Sequence, residues 1–370
     1  MVNTKTSKPA RGSAIDALVV GAGISGLLVS ALLLSKGRKV HLTEKLPRPG
    51  GRLSPEQRDG FTLGAAFAFG DSGWWRATAD RLGLKSPTLP VTNGNALTHT
   101  TRGWQAPEGL PQWESFLSET CTEFPAGGAF GITETLLQYC TANEAFSLSL
   151  ESPATAVIGD GQGGIKSVSL GPDHELFPKD IYWCADYKTL LEVLGGPGVP
   201  EPGPARVSWL KAFVKTNPQP GVVLEFAHKT KLGDFTETLL LPFTADKGEK
   251  HYLAGSIVSN RDPSLAPEGQ SLSSWVLPLT EAEWGDNHET MKKIRAARRL
   301  IEKTFPQLEQ SILFDRVLVL DNTVSPLGKR KGQGKDQWKP LMPNLHLTAE
   351  WAMPHGATLP SLADTLLQSL

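Results

Sequence analysis

The chain of 370 residues is poor in cysteine, with only Cys121, Cys140 and Cys184. Three widely spaced thiols make no disulfide framework. The absence of any CxxC pair or Cys/His cluster also excludes a zinc site, so reduced, half-buried thiols are expected. An excess of charge of either sign is missing too. The 37 Lys and Arg are balanced by 38 Asp and Glu, for a net charge of -1. Proteins that track nucleic-acid phosphates carry a basic surplus, so no nucleic-acid partner is expected. Long apolar runs are absent as well. The longest, residues 27–34, is interrupted by Ser30 and is too short to span a bilayer. Residues 1–14 carry Lys5, Lys8 and Arg11 without the apolar core of a secretion signal. They are expected to form a flexible tail on a cytoplasmic protein. The 37 glycines and 28 prolines follow no collagen-like period and form no low-complexity block, which removes the fibrous and disordered classes.

What is present is concentrated at the N-terminal end. Ala17, Leu18, Val19 and Val20 read as a buried strand of a parallel sheet. The strand runs into Gly21-Ala22-Gly23-Ile24-Ser25-Gly26, a GxGxxG turn, and then into an apolar helix closed by Lys36-Gly37. A second strand, residues 39–43, delivers Glu44. Each part has a physical purpose. Gly21 permits the tight turn, Gly23 lets the backbone approach a pyrophosphate, and Gly26 lets helix and strand pack closely. The first N–H groups of the helix, at Ile24 and Ser25, together with the helix dipole, favour phosphate. An acid at position 44 accepts ribose hydroxyls and repels a 2′-phosphate, which disfavours NADP.

After Glu44 and Lys45 come Gly50-Gly51-Arg52-Leu53 and then Gly60-Phe61-Thr62-Leu63-Gly64. These resemble the Glu-x(5)-Gly-Gly-Arg and Gly-Phe-x-x-Gly elements of the flavin-containing amine oxidase and phytoene desaturase superfamily. The resemblance continues along the chain. Phe124-Pro125-Ala126-Gly127-Gly128 and a helix over 132–143 look like the superfamily's Pro-x-Gly-Gly turn and helix. Pro153-Ala154-Thr155 matches the segment whose backbone pairs with adenine, and residues 181–185 read as a strand returning to the nucleotide sheet. Residues 262–269 and the strand after them resemble a substrate-domain segment of phytoene desaturase relatives. Near the C-terminus, a strand ends in Glu350, and residues 356–361 open a last helix.

The resemblance implies an α/β protein with a Rossmann-like, glutathione-reductase-like FAD-binding domain, made discontinuous by an inserted α+β substrate domain. The FAD-binding part would comprise 15–83, 126–195 and 325–370, and the substrate part 84–125 and 196–324. It implies FAD held by Gly21, Gly23, Ile24, Ser25, Gly26, Glu44, Lys45, Gly51, Arg52, Leu53, Ala154, Glu350, Thr358 and Leu359. The chemistry would be hydride transfer between a C–H or C=C of a small, apolar substrate and flavin N5, desaturase- or saturase-like, with Trp351 and His355 beside the ring. Two other readings stay open. One is amine oxidation. The other is a flavin-fold binding or regulatory protein with weakened catalysis, because Ala349 and Ser361 stand where the superfamily usually has glycine. A dehydrogenase using only NAD would leave Gly50-Gly51-Arg52 without a purpose.

In the second half, a helix over 288–305 is expected to place Met291, Ile294, Ala297, Ile301 and Phe305 on one face and basic residues on the rest. Such a helix is either the solvated outer helix of a globular domain or a peripheral membrane contact. The basic, glycine-rich residues 328–335 read as a surface loop.

Overall fold

The computed structural model describes residues 14–51, 55–64, 73–85, 88–108, 121–171, 174–194, 199, 220–244, 250–306, 308, 310–320, 341–349 and 366. They form an α/β protein with two large sheets. The N-terminal unit is β1 (Ala14–Val20), α1 (Ile24–Ser35) and β2 (Val40–Thr43). Helix α1 is apolar all round and buried from Ile24 to Leu34, as a helix enclosed on every side must be. Its end is a Schellman motif. Gly37 is left-handed (φ +73°), its N–H reaches the Leu34 carbonyl at 2.9 Å, and the Arg38 N–H reaches Leu33 at 3.2 Å.

Two short hairpin strands, β3 (Glu56–Arg58) and β4 (Phe61–Leu63), precede α2 (Gly73–Leu82). Strands β5 (Thr88–Pro90), β6 (Ala96–Thr100), β7 (Gly103–Gln105) and β8 (Glu123–Pro125) follow. Next come α3 (Gly128–Thr141), β9 (Phe146–Ser149), β10 (Ala154–Gly159), β11 (Ile165–Leu170), β12 (Glu175–Trp183) and α4 (Tyr187–Leu194). The first sheet has the order β10-β11-β12-β1-β2-β9. A late strand, β18 (Leu345–Leu347), also lies parallel on β12. Strands β9, β2, β1, β12 and β18 all run parallel, so their C-terminal ends share one edge.

The second sheet is assembled from β13 (Gly221–His228), β14 (Thr238–Thr244), β15 (Lys250–Ser256), β16 (Ser271–Pro278) and β17 (Ile312–Leu320) together with β6 and β7. Its order is β17-β13-β16-β15-β14-β6-β7. Between β15 and β16 lie a one-turn helix α5 (Val258–Arg261) and a 3-10 turn, Pro263–Leu265. Helices α6 (Glu281–Trp284) and α7 (Asn287–Thr304) follow β16. One face of this sheet, with Leu224, Leu239, Leu253, Trp275 and Leu277, packs on Ile294, Ala297, Ile301 and Phe305.

Two expectations need correction. Met291 is not on the buried face of α7; it is 45% exposed. Thr290 takes the inward position, because its hydroxyl donates to the Glu283 carbonyl at 2.6 Å. With its apolar stripe packed on the sheet, α7 is an outer helix of a globular unit. Helix α3 also begins at Gly128, four residues before the expected Ile132. The buried Asp262 carboxylate accepts the Gly127 N–H at 2.6 Å, and left-handed Gly127 (φ +72°) starts the helix there. A distant side chain thus sets that boundary. No helix among the described residues is long and apolar enough to cross a membrane. The loop at 328–335 and the helix expected after residue 361 lie outside the described residues, apart from buried Leu366.

Candidate functional site

The shared C-terminal edge of the parallel strands gathers the chemistry. At the end of β1 the chain turns at Gly21 (φ +99°) and enters α1 with Gly23 as N-cap. A side chain at Gly26 is impossible without a shift, since its Cβ would lie 1.8 Å from the Gly21 carbonyl oxygen. No side chain caps α1 and its first turn holds no acid, so the N–H groups of Ile24, Ser25 and Gly26 face outward from the helix end as donors.

Glu44, at the end of β2, is buried and rigidly held. One carboxylate oxygen accepts the Ala22 N–H at 2.7 Å and the other the Leu46 N–H at 2.9 Å. Its own N–H and C=O bond Ser149 and Ser152, which pins it between the glycine turn and the end of β9. Each oxygen keeps a lone pair for a ligand hydroxyl. The Gly50-Gly51 turn folds back onto the same place. Gly50 donates to the Ala22 carbonyl at 2.8 Å. At left-handed Gly51 (φ +57°) an added Cβ would come within 3.1 Å of Gly23 Cα. Residues far enough apart in sequence to form two motifs therefore make one cradle of backbone.

Three other segments reach this edge. Ala154 begins β10, two residues after Ser152, whose carbonyl accepts from the Thr43 hydroxyl. Lys45 reaches Asp186 at 3.4 Å, beside Ala185, which packs against Gly21. Burial pushes the Asp186 carboxyl up, but the Thr189 N–H and hydroxyl, with Lys45, outweigh it and hold it below the usual range. Strand β18 brings in Thr348, whose hydroxyl lies 3.1 Å from Cys184 Sγ. Burial pushes that thiol up to about 12, so it is an inert packing group and no nucleophile.

The structure thus brings Gly21, Gly23, Ile24, Ser25, Gly26, Glu44, Lys45, Gly51 and Ala154 to one region. Arg52, Leu53, Glu350, Trp351, His355, Thr358 and Leu359 lie outside the described residues. Among the described residues, no three His, Cys, Asp or Glu side chains are grouped as a metal site.

Sequence reasoning missed the polar residues that tie the second sheet and the turn after β15 to the β3–β4 hairpin and to the start of α3. Glu225 in β13 has a fully buried side chain. It accepts the Gly64 N–H at 2.9 Å and the Arg316 Nε at 2.6 Å, and Arg316 also reaches Glu56 at 3.3 Å. Asp262 bonds Gly127 and Ser264. Around these ties, Phe61, Leu63, Phe124, Ala227, Val258, Leu265 and Leu272 form a shared apolar cluster. The only sequence signal for Glu225 is an acid inside the otherwise apolar run Val222-Val223-Leu224-Glu225-Phe226.

Comparison with known proteins agrees with this geometry. Residues 19–82 match the model of the NAD(P)-binding Rossmann-like domain. Prolycopene isomerase of Daucus carota is 31% identical over 124 residues, 31% of this chain and 20% of that protein. A 4,4'-diapophytoene desaturase of Staphylococcus haemolyticus is 50% identical over 45 residues, 12% of this chain and 9% of that protein. The chain therefore matches about a fifth of the length of the first of these curated relatives, and less of the second. Over the whole fold, an oxidoreductase from Methanosarcina mazei superposes with a TM-score of 0.76 at 16% identity, covering 96% of this chain and 99% of that one. Putrescine oxidase superposes with a TM-score of 0.64 at 12% identity, covering 97% and 98%. With the glycine turn, the acid after β2, the docked Gly-Gly turn and the two large sheets all in place, residues 19–82 carry an NAD(P)-binding Rossmann-like domain and the fold is that of these solved oxidoreductases.

Proposed function

We propose that the chain is an FAD-dependent oxidoreductase that moves a hydride between a C–H or C=C of a small, largely apolar molecule and flavin N5. The observation that carries this reading is the single backbone cradle formed by Gly21–Gly26, Gly50-Gly51 and the Glu44 carboxylate. The residues present fit the cofactor. An uncapped helix N-terminus suits the diphosphate, and a fixed carboxylate with open lone pairs suits two ribose hydroxyls. When bound, FAD supplies the two-electron chemistry, and the chain supplies binding, orientation and exclusion of water. Similarity to segments of a prolycopene isomerase and a diapophytoene desaturase supports an apolar substrate of the isoprenoid kind.

In this reading Glu44 holds the ribose, and the first turn of α1 orients the diphosphate. Arg52, Leu53, Glu350, Thr358 and Leu359 complete the cofactor site. Trp351 would wall off water, and His355 would move a proton. Residues 15–83, 126–195 and 325–370 make up the cofactor-binding part, and 84–125 with 196–324 the substrate part.

The test is the near-ultraviolet and visible absorption spectrum of the purified protein, with and without added FAD. Flavin bands in the wild type, lost in Gly23→Val and Glu44→Ala, are the expected result. Loss of the charge-assisted bonds of Glu44 weakens FAD binding by roughly tenfold to a hundredfold. A colourless protein whose melting temperature does not move on adding FAD overturns the proposal.

A further inference from the structure

The face of the second sheet that turns away from α7 carries a polar row. Arg316 is opposite Glu225, Glu225 opposite Ser274, and Ser274 opposite Ser256, on four neighbouring strands. Side chains of directly opposed residues project from the same face of a sheet, so these four form one line across it. The next line is apolar: Leu318, Val223, Val276, Ala254 and Leu240 in register.

At one end of the polar line Arg316 and Glu225 neutralise each other. On β14, beyond the other end, Thr238 accepts from the buried Arg261 guanidinium at 3.1 Å. Between these satisfied groups, Ser274 and Ser256 are each 0% exposed, and neither hydroxyl has a hydrogen-bond partner. Burying an unpaired hydroxyl costs stability, and a sheet has no use for two serines side by side in its interior when alanine would pack as well. Ser30 and Ser149 are also buried and unpartnered, but each stands alone in its own element.

We propose that Ser256 and Ser274 are the polar subsite of the substrate site, where both hydroxyls bond one neutral oxygen, a hydroxyl or carbonyl, of an otherwise hydrocarbon substrate. This rests on the oxidoreductase reading above and names its substrate class. The apolar line from Val223 to Leu240 receives the hydrocarbon. A charged head group does not suit the place. The neighbouring carboxylate and guanidinium are already paired, and two neutral hydroxyls do not repay the desolvation of an ammonium or carboxylate.

The experiment uses the full-length protein and three probes with one carbon skeleton: farnesol, farnesene and farnesylamine. Binding is read by tryptophan fluorescence, and FAD uptake separately by absorption. The wild type is expected to bind farnesol about tenfold more tightly than either other probe, as two neutral hydrogen bonds allow. The Ser256→Ala/Ser274→Ala double variant is expected to lose that preference while its melting temperature holds or rises. Retained preference in the double variant overturns the proposal. So does equal or absent binding of the probes, tighter binding of the amine, or a melting temperature several degrees lower, which would mean that the hydroxyls are bonded within the folded chain. Failure to take up FAD counts against the oxidoreductase reading alone, because the fluorescence readout of the serines does not depend on it.

Discussion

Among the described residues both large sheets have seven strands, yet they place their polar chemistry differently. In the parallel sheet, apart from the buried His41–Ser147 pair within β2 and β9, it lies at the strand ends: Gly21, Glu44, Ser152, Cys184 and Thr348 all occupy the C-terminal edge. In the other sheet it runs across the middle, along Arg316, Glu225, Ser274 and Ser256. The cause is what covers each face. Parallel strands are buried on both sides and must be apolar along their length, so ligand-facing groups are pushed to the ends. The mostly antiparallel sheet gives one face to α7 and is free to vary the other. Polar groups there must be sought as rows across strands, which are remote in sequence.

The largest expected effect breaks the polar row. Glu225→Ala removes the buried partner of Arg316 and the acceptor of the Gly64 N–H, at an expected cost of about 3–5 kcal/mol in chemical denaturation. A cost near zero would mean that the β3–β4 hairpin is held to the second sheet by the apolar cluster around Phe61 and Leu63 alone. Gly26→Ala strikes the other sheet at its edge. The added Cβ meets the Gly21 carbonyl oxygen, which should cost about 3 kcal/mol and abolish FAD retention measured after desalting.

Acid separates the two sheets more finely, because among the described residues each holds a buried histidine whose charged form is disfavoured. Burial pushes His41, bonded to Ser147, down to about 3, and His228, bonded to Ser273, down to about 4. Below the ordinary histidine value of about 6.5 the unfolded chain takes up protons that the folded chain refuses. The unfolded state then binds more protons, so stability falls as pH falls. The loss is up to about 1.4 kcal/mol per pH unit for each histidine, and it runs from about 6.5 down to about 4 for His228 and about 3 for His41. Denaturation midpoints across this range should flatten partly in His228→Gln and partly in His41→Gln. An unchanged slope in both variants would contradict their burial in the neutral form. The smallest effect is at Met291, where Met291→Ala should change stability by less than about 0.5 kcal/mol, whereas Ile294→Ala should cost about 2–4 kcal/mol. Equal costs would restore the helix face expected from sequence.

The nucleotide end was legible because its requirements are local. A tight turn, a close helix and an acid after the next strand are met by residues close together in the chain, and glycine is the only residue that meets several of them. The strand returning at residues 181–185 was readable for the same reason, as an apolar run between turns. Helix α7 was readable in extent but not in face, and its N-cap, Asp286, which accepts the His288 and Glu289 N–H groups, came from the structure. Met291 and Thr290 are consecutive residues, about 100° apart around the helix, and the Glu283 carbonyl of α6 holds Thr290 on the inward side. The start of α3 was misplaced because Asp262, more than a hundred residues away, sets it.

By itself the sequence determined the class of fold, the glycine turn with its acid, and the absence of a cysteine framework or a basic surplus, since these depend on composition and short spacing. Only the tertiary structure decided that Gly50-Gly51 lies on Gly23, that Glu225 holds Gly64 and Asp262 holds Gly127, and that Ser256 stands opposite Ser274. Those facts depend on strand register and on burial. A serine or glutamate in an alternating strand reads as solvent-facing until the sheet closes over it and removes the water that would have satisfied it.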